Sequence, residues 1–223
     1  MQIKKIIRSH RKTIMLQVCD DATLIVKAPL GAGNKVIEKV ILKHSKWLEN
    51  KKKELLSRDM RFTQKKFVGG ESFFYLGHLY RLILVKPNKL IKPLVLEGDY
   101  FYLRKGVKNP RGIFIAWYKQ AAYEKICQRV FCYTQKRGFK YKQIKISNAQ
   151  KRWASCSHLG NLNFSWRLVM APLPVIDYVV IHELVHLIER NHSRAFWNKV
   201  RLFIPEYKKH QNWLKKNGYL LTI

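Results

Sequence analysis

The residues best equipped for chemistry in this 223-residue chain are His182, Glu183 and His186, followed six positions later by His192. Two histidines four apart on a helix project from one face about one turn apart, so both imidazoles reach a single ion. The intervening Glu183 lies close enough to polarise a water on that ion without ligating it. This is the H-E-x-x-H arrangement of zinc hydrolases. A catalytic zinc takes three protein ligands and keeps a fourth position for water.

On a continuous helix, residue 192 would sit about 240° around from His186 and face away from the ion. The helix must therefore end between them for His192 to become the third ligand. Asn191 tolerates the left-handed conformation that such a reversal uses, and Ser193 suits the N-cap of a new helix from Arg194 to about Leu202. Glu189 is the rival, carboxylate third ligand; Glu206, close behind Pro205, is harder to place. Glu183 takes the general-base role. The spacing also fits the metzincin pattern, except that Glu189 stands at the glycine and no methionine follows His192 to make the Met-turn. Cys156 reads as a packed thiol, because a fourth protein ligand would close the site.

Several elements must position these groups. Short strands are expected at 2–8, 13–18 and 23–28, with polar turns at Arg11-Lys12 and Asp20-Asp21. Apolar residues at helical spacing from Asn34, the expected N-cap, to about Ser57 predict one helix. Runs at 73–76, 79–85, 94–97 and 100–103 read as strands. Pro110 opens a long helix to about Lys136, with Tyr123 and Phe131 on its apolar side and Gly138 as its C-cap. The clusters Trp117-Tyr118 and Phe131 to Tyr133 read as core. A strand at 143–147 follows, then an alternating one at 161–168 with Asn161, Asn163, Ser165 and Arg167 on its polar face. Pro172 and Pro174 introduce the helix that carries the histidines. A division near 105–110 separates a strand-rich part, 1–107, from a helix-rich part, 108–223, unless the two form one continuous domain.

Nearly half of the chain is apolar, which rules out disorder. Its 44 Lys and Arg against 14 Asp and Glu give a formal charge of +30, a field that concentrates anionic substrates or nucleic acid. Four cysteines without C-x-x-C spacing or disulfide density point to a reducing cytoplasm. The N-terminal apolar stretch is too short for a signal peptide, no stretch approaches a membrane span, and no membrane partner is expected.

Four C-terminal segments carry a resemblance: Arg152-Trp153-Ala154-Ser155-Cys156-Ser157, Gly160 to Leu168, Asp177 to His186, and Asn191-His192-Ser193-Arg194-Ala195-Phe196-Trp197. With Ala28-Pro29 and Tyr75-Leu76-Gly77 they make the chain resemble, over nearly its whole length, the YgjP-like metallopeptidase-domain family, whose relatives include the SprT-like proteases. The resemblance implies an α+β fold, a strand-rich N-terminal part with an antiparallel sheet joined to a zincin-like helical C-terminal part. It also implies one Zn2+, or another divalent ion, on His182, His186 and His192, with Glu183 catalytic. Where the family usually has Trp-Gly-Ser-Cys this chain has Ala154, which would be strained if that position needs a positive φ.

Peptide-bond hydrolysis is the first activity implied. Some members are described as nucleotide pyrophosphatases acting on UTP, and the charge would suit a triphosphate. A third alternative is a DNA-binding protein with SprT-like protease activity. Substrate contacts are expected from Arg152 and Arg167, whose guanidinium forks clamp a carboxylate or phosphate, from Trp153, and from Asn161 and Asn163. The 161–168 strand, as an edge strand beside the metal, could hold an extended peptide by backbone pairing.

Overall fold

The computed structural model describes residues 2–19, 21–56, 65–87 and 92–223, apart from the side chains of 136 and 137. The expected turn residue Asp20 and the helix end at Ser57 lie outside these. Two compact units result, Met1–Met60 and Arg61–Ile223. The boundary expected near 107 therefore falls inside the second unit.

The first unit contains β1 (Ile3–Ser9), β2 (Met15–Val18), β3 (Leu24–Pro29), α1 (Asn34–Lys43) and α2 (Ser45–Leu56). β3 lies centrally, parallel to β1 and antiparallel to β2. Its inward residues Leu24, Val26 and Ala28 pack with Ile37 and Leu48 into a core of their own. The single helix expected from Asn34 is broken: His44 leaves helical geometry at φ −105°, ψ 13°, and its N–H closes the last turn of α1. Gly33, not Asn34, is the N-cap. The Asn34 side chain accepts from the Arg8 guanidinium instead, at 3.0 Å, so it is not free to cap.

In the second unit a four-stranded sheet is built from β4 (Ser72–Tyr75), β5 (His78–Val85), β6 (Leu94–Glu97) and β7 (Tyr100–Arg104) in the order β4-β5-β7-β6. It is mixed and not purely antiparallel, because β5 and β7 run parallel. α3 (Pro110–Arg137) follows; Asn109 caps its start by accepting from the Gly112 N–H at 2.8 Å, and Gly138, at φ 66°, ends it. α3 and the sheet share one aromatic core. The Phe73 and Phe114 rings stack at 4.3 Å, and Phe101 meets Trp117 edge-on at 4.8 Å. This shared core is why residue 107 marks no boundary.

The stripe Phe114, Tyr118, Ala122, Ile126 and Val130 is the buried face of α3. Tyr123 and Phe131, expected on that face, are exposed, since neither falls on the four-residue repeat. A second sheet has the order β8-β10-β9, from β8 (Gln143–Ser147), β9 (Ala154–Cys156) and β10 (Asn161–Ser165). The strand expected over 161–168 stops at Ser165, and Trp166–Met170 form a 3-10 turn whose side chains are largely buried. α4 (Leu173–Val185), α5 (Arg194–Phe203) and α6 (Tyr207–Asn217) complete the unit. Among the described residues, no helix is long and apolar enough to cross a membrane.

Candidate metal centre

α4 is the buried helix of the second unit. Val175, Ile176, Val179, Val180, Ile181, Leu184 and Val185 are all in the core, which fixes the helix azimuth and turns His182 and Glu183 toward β9. Its position is also held ionically: the Arg129 guanidinium of α3 grips Asp177 through two bonds, at 2.5 and 2.9 Å. The Leu76-Gly77 turn between β4 and β5 supports the entry to α4. Its N–H groups donate to the carbonyls of Val169 and Met170 at 2.8 and 3.1 Å, and Gly77 lies against Pro172.

The helix ends at Val185, so His186 is its C-cap. The chain then reverses through tight turns, with the Leu187 N–H donating to Leu184 and the Ser193 N–H to Asn191. Asn191 does not use the left-handed conformation; among the described residues that departure occurs outside glycine only at Ala22, Phe67 and Leu76. Short-range carbonyl bonds make the reversal without it. Ser193 caps α5 as its type suggests, accepting from the Phe196 N–H at 3.3 Å. Ala154 has an ordinary negative φ, so alanine in place of the family's glycine costs no backbone strain.

The three imidazoles converge. His192 Nε2 lies 2.9 Å from His182 Nε2 and 3.1 Å from His186 Nε2. Around one tetrahedral zinc, ligand nitrogens would be about 3.3 Å apart. His186 Nδ1 is 3.0 Å from the Glu189 carbonyl, which favours the tautomer with its proton there and leaves the Nε2 lone pair facing the other two rings. Burial, with the neighbouring histidines, holds His182 down to about 3, and His186 is lowered mainly by burial. Both are therefore neutral donors at neutral pH. Three Nε2 atoms this close, each able to offer a lone pair, match the donor set that one divalent ion takes.

Packing orients the rings. Phe196, fully buried, has its centroid 4.9 Å from His182, 4.6 Å from His186 and 4.8 Å from His192. Trp197 stacks on His192 at 5.6 Å. The Nδ1 of His182 is buried without a hydrogen-bond partner, which leaves that ring to its aromatic neighbours. Phe196 was not anticipated as a site residue; its position one turn past the third histidine was the available signal. Glu189, the rival ligand, spends its carboxylate on Lys199 at 2.7 Å, and Glu206 pairs with Lys209 at 3.8 Å.

Glu183 is 5 % exposed, and its Oε2 has no hydrogen-bond partner. Burial pushes its carboxyl up to about 8, against the pull of the Cys156 N–H and the Arg152 charge. Cys156 stands outside the histidine cluster, its thiol donating to the Ser157 carbonyl.

The chain is matched from residue 12 to 217 by the YgjP-like metallopeptidase domain. It belongs to the YgjP-like family. No curated protein matches it. Among solved structures it is similar to the metallopeptidase zymogen of Pyrococcus abyssi abylysin, with 20 % identity over 41 % of this chain and 93 % of that chain, and a TM-score of 0.38. Family membership implies a divalent metal, and the histidine cluster is where this YgjP-like domain can hold one.

Two cavities meet at this centre and share Ala154, His182 and Glu183. One, of about 340 Å³, extends past Arg152 and Trp153 to α6; the other, of about 330 Å³, extends past Ser155 and Cys156 to Arg190. Of the expected substrate contacts, Arg152 and Trp153 are thus beside the histidines. Asn161, Asn163 and Arg167 line neither cavity. Asn161 ties the β9–β10 turn together through Ser157 and accepts from Gln143, and Arg167 stacks over Trp166 at 4.3 Å while donating to the Asn148 carbonyl. β10 cannot offer an edge, because β8 and β9 flank it on both sides. The edge strand beside the histidines is β9.

Proposed function

We propose that this YgjP-like domain is a zinc-dependent peptidase in which His182, His186 and His192 hold the ion and Glu183 is the general base. The observation that carries the reading is the convergence of three imidazole Nε2 atoms next to a buried carboxylate, one oxygen of which has no hydrogen-bond partner. A bound divalent ion supplies Lewis acidity toward a water and the carbonyl under attack. Glu183 accepts the proton that the attacking water loses and returns it to the leaving amine. β9, the end strand of its sheet among the described residues, offers the edge along which an extended peptide lies beside the histidines. The apolar wall of α4 limits water around the reacting groups.

The test is metal content and peptide hydrolysis of wild type against Glu183→Gln. We expect about one zinc per chain in both, and a fall in turnover of at least about 100-fold in the variant. Equal turnover would refute the role of Glu183.

A second reading, nucleotide phosphoanhydride hydrolysis at the same centre, is favoured by Arg152, Lys215 and Arg190. These stand on the two cavities, where Glu183 is the only carboxylate among the lining residues. Phosphate or pyrophosphate release from UTP that disappears in Glu183→Gln, without peptide cleavage by wild type, would establish it.

A further inference from the structure

The two cavities are chemically unlike, and the difference predicts which peptides are cut. The one reaching Arg190 is lined by Ser155, Cys156 and the histidines. The one reaching α6 is walled by Trp153, Tyr178 and Leu214, with Arg152 and Lys215 exposed at its rim. Its volume, about 340 Å³, accommodates a single large side chain. Because His182 and Glu183 form part of its wall, a side chain seated there adjoins the bond under attack.

One wall depends on a glycine. Gly218, where α6 passes into the Gly218–Leu220 3-10 turn, has an ordinary φ of −57° that alanine would accept. A Cβ there would nevertheless lie 2.7 Å from Trp153 Cζ2. That separation is far inside van der Waals contact, so the indole must move. Glycine at 218 thus lets Trp153 lie back against the C-terminal turn.

We propose that this cavity is the side-chain pocket of the substrate, selecting a bulky apolar residue next to the scissile bond with acidic residues nearby, and that Gly218 sets its width. The inference rests on the peptidase reading above. The apolar walls take the side chain, and Arg152 and Lys215 favour carboxylates in the flanking sequence. Gln211, half-buried on α6, faces the same space, and a larger side chain there narrows it without removing a core residue.

The experiment is a library of internally quenched peptides varied to Gly, Ala, Leu, Phe and Trp on each side of a central bond, with product termini read by mass spectrometry. Zinc-loaded wild type, Gly218→Ala, Gln211→Trp and Lys215→Glu are compared. Wild type is expected to favour Leu, Phe and Trp over Ala by about tenfold or more in kcat/KM on one side of the bond. Gly218→Ala and Gln211→Trp each reverse that ranking, lowering kcat/KM for the Leu, Phe and Trp peptides more than for the Ala peptides. Lys215→Glu loses the preference for acidic flanks. An unchanged ranking in both narrowing variants overturns the pocket. Binding of the same peptides to inert Glu183→Gln, followed by tryptophan fluorescence, separates the two failures. Peptides that bind and are cut without side-chain preference refute the pocket alone. Peptides that are neither bound nor cut refute the peptidase reading and the pocket with it.

Discussion

At the scale of single residues, the site combines groups whose proton affinities are moved in opposite directions by one cause. Burial depresses His182 to about 3 and raises Glu183 to about 8. In the metal-free protein this couples stability to pH with a definite sign. Between about 4.5 and 8 the folded state keeps a proton on Glu183 that the unfolded chain has lost, so stability falls as pH rises through that window. His182 works the other way below about 6.5, where the unfolded chain takes up a proton that the folded state refuses. Above 6.5 only the Glu183 contribution remains of the two. The melting temperature of metal-free protein should therefore decline from pH 6.5 to 8, and this part of the decline should vanish in Glu183→Gln. An unaltered slope in the variant would assign the effect elsewhere. The convergence of His182, His186 and His192 was legible from helical spacing and the Ser193 cap, although the reversal between them does not use a left-handed Asn191. Phe196, which touches all three imidazoles, was not, because a phenylalanine in an amphipathic helix reads as core whatever it packs against.

At the scale of elements, α4 is held by two devices that lie far from it in sequence. The Arg129–Asp177 pair joins it to α3, with side chains 23 % and 14 % exposed. Asp177→Asn should cost about 2 kcal/mol in urea unfolding, because it leaves a largely buried guanidinium without its counter-charge. A loss below about 0.5 kcal/mol would mean that the pair behaves as a solvated surface contact. The second device is the β4–β5 turn, whose Leu76 and Gly77 both have positive φ, as a type I′ turn requires. Gly77→Ala would place a Cβ 2.9 Å from the Pro172 backbone at φ 85°. We expect a loss of at least about 1–2 kcal/mol from conformation alone, and weaker zinc retention because Pro172 leads into α4. Unchanged zinc affinity in a destabilised Gly77→Ala would show that the turn supports the fold and not the site. The turn is recognisable in sequence from its glycine between two apolar runs, but its docking on Val169, Met170 and Pro172 is not, since nothing local specifies that partner.

At the scale of the molecule, the two units carry separate cores of very different size. Among the described residues, the first has five buried apolar residues at its centre, whereas that of the second extends from Phe73 to Ile223. A small core leaves little surplus over chain entropy. Hydrogen exchange should therefore open amides of 2–56 at lower free energy than those of α3 and α4. Removing the divalent metal with a chelator should raise exchange across 173–203 and leave 2–56 unchanged. A uniform rise over both would contradict their separation. The charge of +30 also belongs to this scale, for it acts as a field and names no residue.

What the sequence determined by itself is the chemistry that is local: two histidines on one helical face, a glutamate between them, a forced helix end, and a capped new helix that returns a third histidine. Each rests on backbone periodicity and capping within a dozen residues, where propensity is strong. Tertiary structure alone decided that β9 and not β10 is the end strand of its sheet, that α6 and Trp153 close one side of the centre, and that the division between units falls at residue 60 and not near 107. Strand order and packing partners are non-local, and the same alternating run fits a central strand as well as an edge.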